Sequence, residues 1–298
     1  MRTEDAADVF LKRLQEEAAS FNKLISTEDD QWIAKGFIDV FKRVYTISGD
    51  TKVISKVLEI MLFPCFSAFA ERYGYEIVIA GEQNHYPDIS FVDEKHGYKF
   101  AVDLKTTYRI GGKGKVSRMT LGAFTGYFRN RGSRKNCTFP YEEYSGHFVL
   151  GAVYSRSTAT KVEDQLKIYG IEDLAKIPSV IKDIQFFAQP KYRIAIDKPG
   201  SGNTKNMGSV DCIDELMNGK GPFAELGESV FKDYWIYYLT ADMARAVELP
   251  GPPYNNLKAY FEYKGMPRDG AAPPKGTKKP AKRPKDMCVV EDSESEVS

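Results

Sequence analysis

The sequence predicts an α/β fold, a mixed central β-sheet with flanking helices, and three observations carry that prediction. An amphipathic helical period opens the chain, two β-rich runs joined by a short polar turn follow, and strand-like and helix-like segments then alternate. The 298 residues are 42% hydrophobic and 28% charged, ordinary values for a chain that packs a core. A wholly disordered chain is excluded on that composition.

From Asp8 to Ile25, the residues Phe10, Leu14, Ala18, Phe21 and Ile25 recur at three- and four-residue steps, the period of one helix face. Gly49-Asp50-Thr51 opens a second, long helix toward Arg72. Asp50 or Thr51 can accept its first free N–H groups, and Pro64 should bend it. Strands are predicted at Glu76–Ile79, Asp88–Val92 and Tyr98–Lys105, then a short helix over Leu121–Asn130. Strands at His147–Tyr154 and Ile184–Ile196 follow, with helices at Asp211–Met217, Ser229–Leu239 and Leu257–Tyr263. No internal repeat interrupts residues 1–265, which read as one domain. From Met266 the chain turns to Pro, Gly, Ala and Lys without an apolar period, then to EDSESEVS. Such a stretch buries too little apolar surface to offset its ordering entropy, so 266–298 is expected to be a disordered basic-then-acidic tail. A basic arm attracting phosphate, or a localisation signal, is the alternative use of the same residues.

Several classes fall away. No apolar run is expected to span the roughly 20 residues that cross a bilayer, so no membrane partner is predicted. MRTEDAADVFLKR is acidic and lacks an apolar stretch, unlike a secretory signal. Cys65, Cys137, Cys212 and Cys288 lie far apart without a CxxC pair, and there are three histidines. That argues against a zinc cage and for a reducing, cytoplasmic setting. Net charge is +1, from 42 basic and 41 acidic residues, so any nucleic-acid binding must come from local arrangement.

Chemistry concentrates in one hairpin. Pro87–Val92 and Tyr98–Lys105 are β-rich runs flanking Asp93-Glu94-Lys95-His96-Gly97, a polar, Gly-ended connection. With the turn centred between Lys95 and His96, paired residue numbers sum to 191, and Asp88 lies across from Asp103. Opposed residues share a face, and the strand period of two adds Lys105 to it, while Phe100, Val102 and Leu104 point the other way. Opposed Cβ atoms sit about 4.5–5.5 Å apart, close enough for both carboxylates to hold one divalent cation. Two like charges so placed need a counter-charge, to be supplied partly by Lys105 and otherwise by a metal. The bland alternative is a charge cluster on an exposed strand face.

Pro87-Asp88, the hairpin and Asp103-Leu104-Lys105 match the PD…(D/E)xK pattern of the restriction-endonuclease-like nuclease superfamily. Within it the chain resembles the EcoRV-type type II restriction endonucleases. The resemblance rests on Gln83–Asp88, Ala101–Tyr108, Gly49–Val53, Thr120-Leu121-Gly122 and Gly200–Thr204. These blocks keep one order and near-equal separations from about Val44 to Tyr263, leaving out the tail and matching the N-terminal helix loosely. The bare pattern is weakly specific; several blocks in register are strongly so.

The resemblance implies a restriction-endonuclease-like fold and an endonuclease domain over 1–265, with a catalytic hairpin at 87–105 and a DNA-recognition loop at 200–206. It implies Asp88 and Asp103 as ligands of Mg²⁺, Lys105 as the active-site lysine, and Glu59 as a further acidic group on the long helix. Read from its neighbours alone, Glu59 equally fits a solvent-facing position. Gly200, Ser201, Gly202, Asn203 and Thr204 would meet DNA bases in the major groove, since glycines admit close backbone approach and Asn and Thr suit base edges. Lys205 stands where the family has threonine, adding a phosphate contact or altering specificity. Asn84 resembles a position near the minor groove, whereas Glu82 replaces a glutamine and would repel phosphate. Lys52, Thr125 and Lys135 resemble backbone-contacting positions, and Arg129, Arg131, Arg134 and Lys135 form a dense basic run suited to phosphate.

The function implied is a Mg²⁺-dependent, homodimeric type II restriction endonuclease hydrolysing phosphodiester bonds of double-stranded DNA at a short palindrome. The loop points to GATATC, cut to blunt ends with 5′-phosphates, and such an enzyme implies a cognate DNA methyltransferase in its host. Two other readings stay open: a less specific nuclease of this fold in viral or repair DNA processing, and a DNA-binding module that no longer cuts.

Overall fold

The N-terminal helical period is realised in α1 (Thr3–Ile25), and each of Phe10, Leu14, Ala18, Phe21 and Ile25 is buried. The structure is a computed structural model describing residues 2–82, 85–111, 114–158, 162–200 and 205–265. Asn84, Ser201, Gly202, Asn203, Thr204 and the 266–298 tail lie outside the described residues.

After α1 come β1 (Gly36–Ile38), β2 (Val44–Thr46), α2 (Thr51–Tyr73), β3 (Glu76–Ile79), β4 (Ile89–Asp93) and β5 (Tyr98–Ile110). Then follow β6 (Lys115–Val116), β7 (Thr120–Ala123), β8 (Gly146–Arg156), α3 (Val162–Gln165), β9 (Ile168–Tyr169) and β10 (Ile181–Pro190). The C-terminal part holds α4 (Lys191–Ile194), β11 (Ala195–Pro199), β12 (Asn206–Ser209), α5 (Ile213–Asn218), α6 (Gly227–Tyr237), α7 (Ala241–Ala246) and α8 (Leu257–Lys264).

The central sheet runs β10-β8-β5-β4-β3, with β6 on the far end of β5. Its β5–β8 pair is parallel and its other pairs antiparallel, so the sheet is mixed. One face packs against α1 and α2 through Phe10, Phe66, Phe69, Phe91, Phe100 and Val102. The other face, through Ala101, Val149, Val153 and Phe187, packs against Leu121, Phe124 and the aromatic residues of α6 and α8. Two small sheets flank this core, β1-β2-β9 and β11-β12-β7.

Asp50 caps α2, its carboxylate accepting from the Lys52 and Val53 N–H groups, and Pro64 lies inside the helix without ending it. An 18-residue window of α2 has mean hydropathy 1.7, so by length and composition this helix is apolar enough to cross a bilayer, contrary to expectation. It is a core helix instead: Ile54, Leu58, Leu62, Phe66 and Phe69 are buried between α1, the sheet and the Trp32 region.

Two expected elements differ. The helix over Leu121–Asn130 is strand β7, a bend and a single 3₁₀ turn at Gly126–Phe128. Leu121, Phe124 and Phe128 mimic a helical period, and all three are buried, but Gly122 (φ +97°) and Gly126 (φ +53°) take left-handed backbone that a helix forbids. The strand over Ile184–Ile196 starts earlier, at Ile181, and stops at Pro190, which has no N–H for the ladder; α4 turns the chain and β11 resumes it.

Candidate active site

The β4–β5 hairpin keeps the predicted register. Ile89–Val102, Ser90–Ala101, Phe91–Phe100, Val92–Lys99 and Asp93–Tyr98 all sum to 191, which sets Asp88 across from Asp103 at the end of the ladder. Ile89, Phe100 and Val102 enter the α1/α2 core, so Asp103 and Lys105 face the other way.

Asp88 ends the pairing by a side-chain bond: its Oδ2 accepts from the Leu104 N–H at 2.7 Å. Lys105 Nζ lies 3.5 Å from Asp88 Oδ2 and 3.8 Å from Asp103 Oδ2, and donates to the Leu104 carbonyl at 3.2 Å. Burial differs sharply between the carboxylates, with side-chain exposure of 36% for Asp88 and 5% for Asp103. Desolvation raises the Asp88 carboxyl above its usual range, the Asp103 charge adding to it and Lys105 opposing it. Desolvation would raise Asp103 too, but the Lys105 and Lys191 ammonium groups hold it below the usual carboxylate range. Lys105 is itself desolvated, yet both aspartates keep it more firmly charged than an ordinary lysine.

Lys191 is the residue sequence reasoning missed. At the first position of α4, it places Nζ 3.3 Å from Asp103 Oδ2 and 4.1 Å from the centre of the Tyr86 ring. A second lysine thus stands beside Lys105 against the two carboxylates, although burial disfavours its charged form and Asp103 opposes that. Beneath it lies an aromatic floor: Tyr86 stacks on Tyr127, and its hydroxyl meets His147 Nδ1 at 2.7 Å. A lone Lys closing the apolar run Phe186-Phe187-Ala188-Gln189-Pro190 was the available signal, hidden by reading the run as uninterrupted strand.

Glu59 is half-buried, its side chain 22% exposed. With Leu58, Leu104 and Lys105 it lines a small recess, and its Oε1 pairs with Lys56 at 2.8 Å. Among the described residues no three His, Cys, Asp or Glu side chains gather into a ready metal cage. Two carboxylates suit a cation that keeps several waters and takes further oxygens from a phosphate.

The 200–206 segment joins β11 to β12, and Gly200 N–H donates to the Asn206 carbonyl at 2.8 Å to close its base. Gly200 and Gly208 permit that closure, since a Cβ on Gly208 would come 3.2 Å from Gly200 Cα and 3.1 Å from the Lys198 carbonyl. Lys205 is exposed at this base, and its carbonyl accepts from the Phe124 N–H. Lys52 is exposed on the first turn of α2, Thr125 is half-buried before the 3₁₀ turn, and Lys135 is exposed on the following loop. The basic run divides. Arg129 donates to the Tyr238 carbonyl and Arg131 lies against the Phe128 and Tyr141 rings, which leaves Arg134 and Lys135 as its exposed members.

Comparison with known proteins identifies the family. The profile of the family described as restriction endonuclease EcoRV matches residues 28–265. The type II restriction enzyme EcoRV of Escherichia coli is 35% identical over 235 residues, covering 78% of this chain and 91% of that enzyme. The match takes in the β4–β5 hairpin, the 200–206 segment and both small sheets, and the chain belongs to the EcoRV family of type II restriction endonucleases.

Proposed function

We propose that the chain is a Mg²⁺-dependent, homodimeric endonuclease that hydrolyses double-stranded DNA at the palindrome GATATC, leaving blunt ends with 5′-phosphates. The observation that carries this reading is the convergence of Asp88, Asp103 and Lys105 at one end of the β4–β5 hairpin. Asp88 and Asp103 would hold the cation as hard oxygen donors. Bound there, Mg²⁺ supplies polarisation of the scissile phosphate and acidification of the attacking water. Lys105, kept charged by its two aspartates, orients that water as a hydrogen-bond donor and offsets negative charge growing on the phosphorus oxygens. Glu59 adds an acidic group from the α2 wall of the recess.

Recognition is assigned to Gly200, Ser201, Gly202, Asn203, Thr204 and Lys205 on the β11–β12 connection, with Asn84 as a second base contact. Lys52, Thr125 and Lys135 would grip the phosphate backbone, a role supported for Lys52 and Lys135 by their exposure. Homodimerisation is supported by an apolar surface on and beside the β1-β2-β9 sheet, where Val40, Phe41, Leu166, Ile38 and Ile168 are all more than half exposed. A two-fold protein mirrors a palindrome, each subunit cutting one strand. The enzyme would work in the cytoplasm beside a methyltransferase that protects the host's own sites, with residues 1–265 as the working domain.

Digestion of a plasmid carrying GATATC, with and without Mg²⁺, followed by sequencing of the ends, tests the reading. Discrete blunt fragments in Mg²⁺ alone are expected. A smear would indicate the less specific nuclease, and intact plasmid the non-cutting module.

A further inference from the structure

Lys191 stands out among the charged groups of the fold. Its side chain is 2% exposed, and its ammonium, 3.3 Å from Asp103, makes no well-directed hydrogen bond. An ammonium carries three donors and no acceptor, so burying it with a single carboxylate nearby is costly unless something else is gained. Its location suggests what is gained. Lys191 lies against Asp103 directly and against the face of Tyr86, two residues before Asp88. Eight residues further on, β11 ends at Pro199, next to Gly200 at the base of the 200–206 connection.

Charge arithmetic then matters. Asp88 and Asp103 against Lys105 and Lys191 sum to zero, and Glu59 is paired separately with Lys56. A neutral cluster offers a divalent cation oxygen donors but no net attraction. An arriving DNA phosphate makes the same cluster negative and changes that balance. We propose that Lys191 is a positioning residue that acts through Asp103 to make cation uptake by the Asp88/Asp103 pair depend on the DNA phosphate. The inference rests on the reading of these two aspartates as the metal ligands.

The test is calorimetric titration of the full-length protein with Ca²⁺, which suppresses cutting, with and without a duplex containing GATATC. In the unsubstituted protein the duplex should tighten Ca²⁺ binding strongly. Lys191→Gln should bind Ca²⁺ without DNA at least about tenfold more tightly than the unsubstituted protein, because a cation a few Å away has been removed. The gain from adding duplex should shrink by a similar factor. A merely structural lysine predicts the opposite, since a loosened site binds metal less well. Unchanged or weaker binding in Lys191→Gln overturns the proposal. Lys191→Met, which keeps the packing of the stem, is the second variant, and if neither folds, Lys191 is a structural counter-charge and the proposal falls. Asp103→Asn separates the two levels: if it retains full Ca²⁺ affinity, the metal-ligand reading itself has failed, whereas loss of binding there beside unaffected Lys191 variants sinks the Lys191 proposal alone.

Discussion

Asp88 and Asp103 carry the same charge in unlike surroundings, and their substitutions should differ accordingly. Asp88→Ala removes a carboxylate that is 36% exposed and costs one bond to the Leu104 N–H, so cleavage should be abolished with little loss of stability. Asp103→Ala should also abolish cleavage, but it strands the buried Lys191 ammonium, and losing one partner of a buried pair costs about 3–5 kcal/mol. Parallel urea denaturation of the two variants checks this. Near-equal midpoints would mean that Lys191 finds another partner, and cutting at an undiminished rate by either would remove that residue from the metal site. Lys105→Ala should lose cleavage yet keep specific DNA binding, measured by gel shift in Ca²⁺, because its ammonium faces the carboxylates; binding lost in step with cutting would make it a recognition residue. The trio was legible in the sequence because strand period and turn position fix which side chains share a face. Lys191 was not, since its partner lies on a strand distant in sequence and no local period joins them.

Among the elements, those with strong periods and chemical boundaries were legible: α1 from its apolar steps, α2 from Asp50, and the β4–β5 hairpin from its alternation and Gly97. Elements whose shape is set by tertiary pairing were not. Thr120–Ala123 becomes strand because β12 lies beside it, and the β1–β2 hairpin and α7 left no sequence signal strong enough to read. The β11–β12 connection combines both cases. In the sequence its glycines read as admitting approach to DNA bases; what is seen is a close approach of Gly200 to Gly208 at its base, a contact within the chain. If that base presents Asn203 to DNA, Asn203 can pair bidentately with an adenine edge at about 1–3 kcal/mol of discrimination. A dimer uses it twice, so Asn203→Ala should cost roughly 2–6 kcal/mol at the cognate site while non-specific binding hardly changes. The quantity to measure is the ratio of specific to non-specific affinity at fixed salt in Ca²⁺. Equal weakening of both would assign the connection to backbone contact.

At the scale of the whole molecule, exposed large apolar side chains among the described residues are scattered, as at Leu24, Ile60, Ile79 and Tyr263, but they gather around β1-β2-β9. Val40 is 91% exposed, Leu166 80% and Phe41 74%, on and beside a small sheet that projects Phe37, Ile38 and Ile168 as well. Scattered single apolar residues on a surface need no explanation, but a contiguous group of this size does. A stable interface buries about 1,200–2,000 Å² in total, and this small sheet with its flanking loops is the apolar nucleus such an interface needs. Because Val40 and Phe41 lie outside the three core clusters, replacing both by Asp should leave the fold intact and place like charges across a two-fold contact. Sedimentation velocity should then show a monomer, against the dimer expected of the unsubstituted chain. Each monomer would present one half-site's worth of base contacts, so affinity for a full palindrome should fall toward the non-specific level, and plasmid cutting should be confined to single-strand nicks. The catalytic residues are untouched by these substitutions, which makes the nicking activity the internal control. A double variant that sediments as a dimer and linearises plasmid normally would place the two-fold contact elsewhere on the molecule.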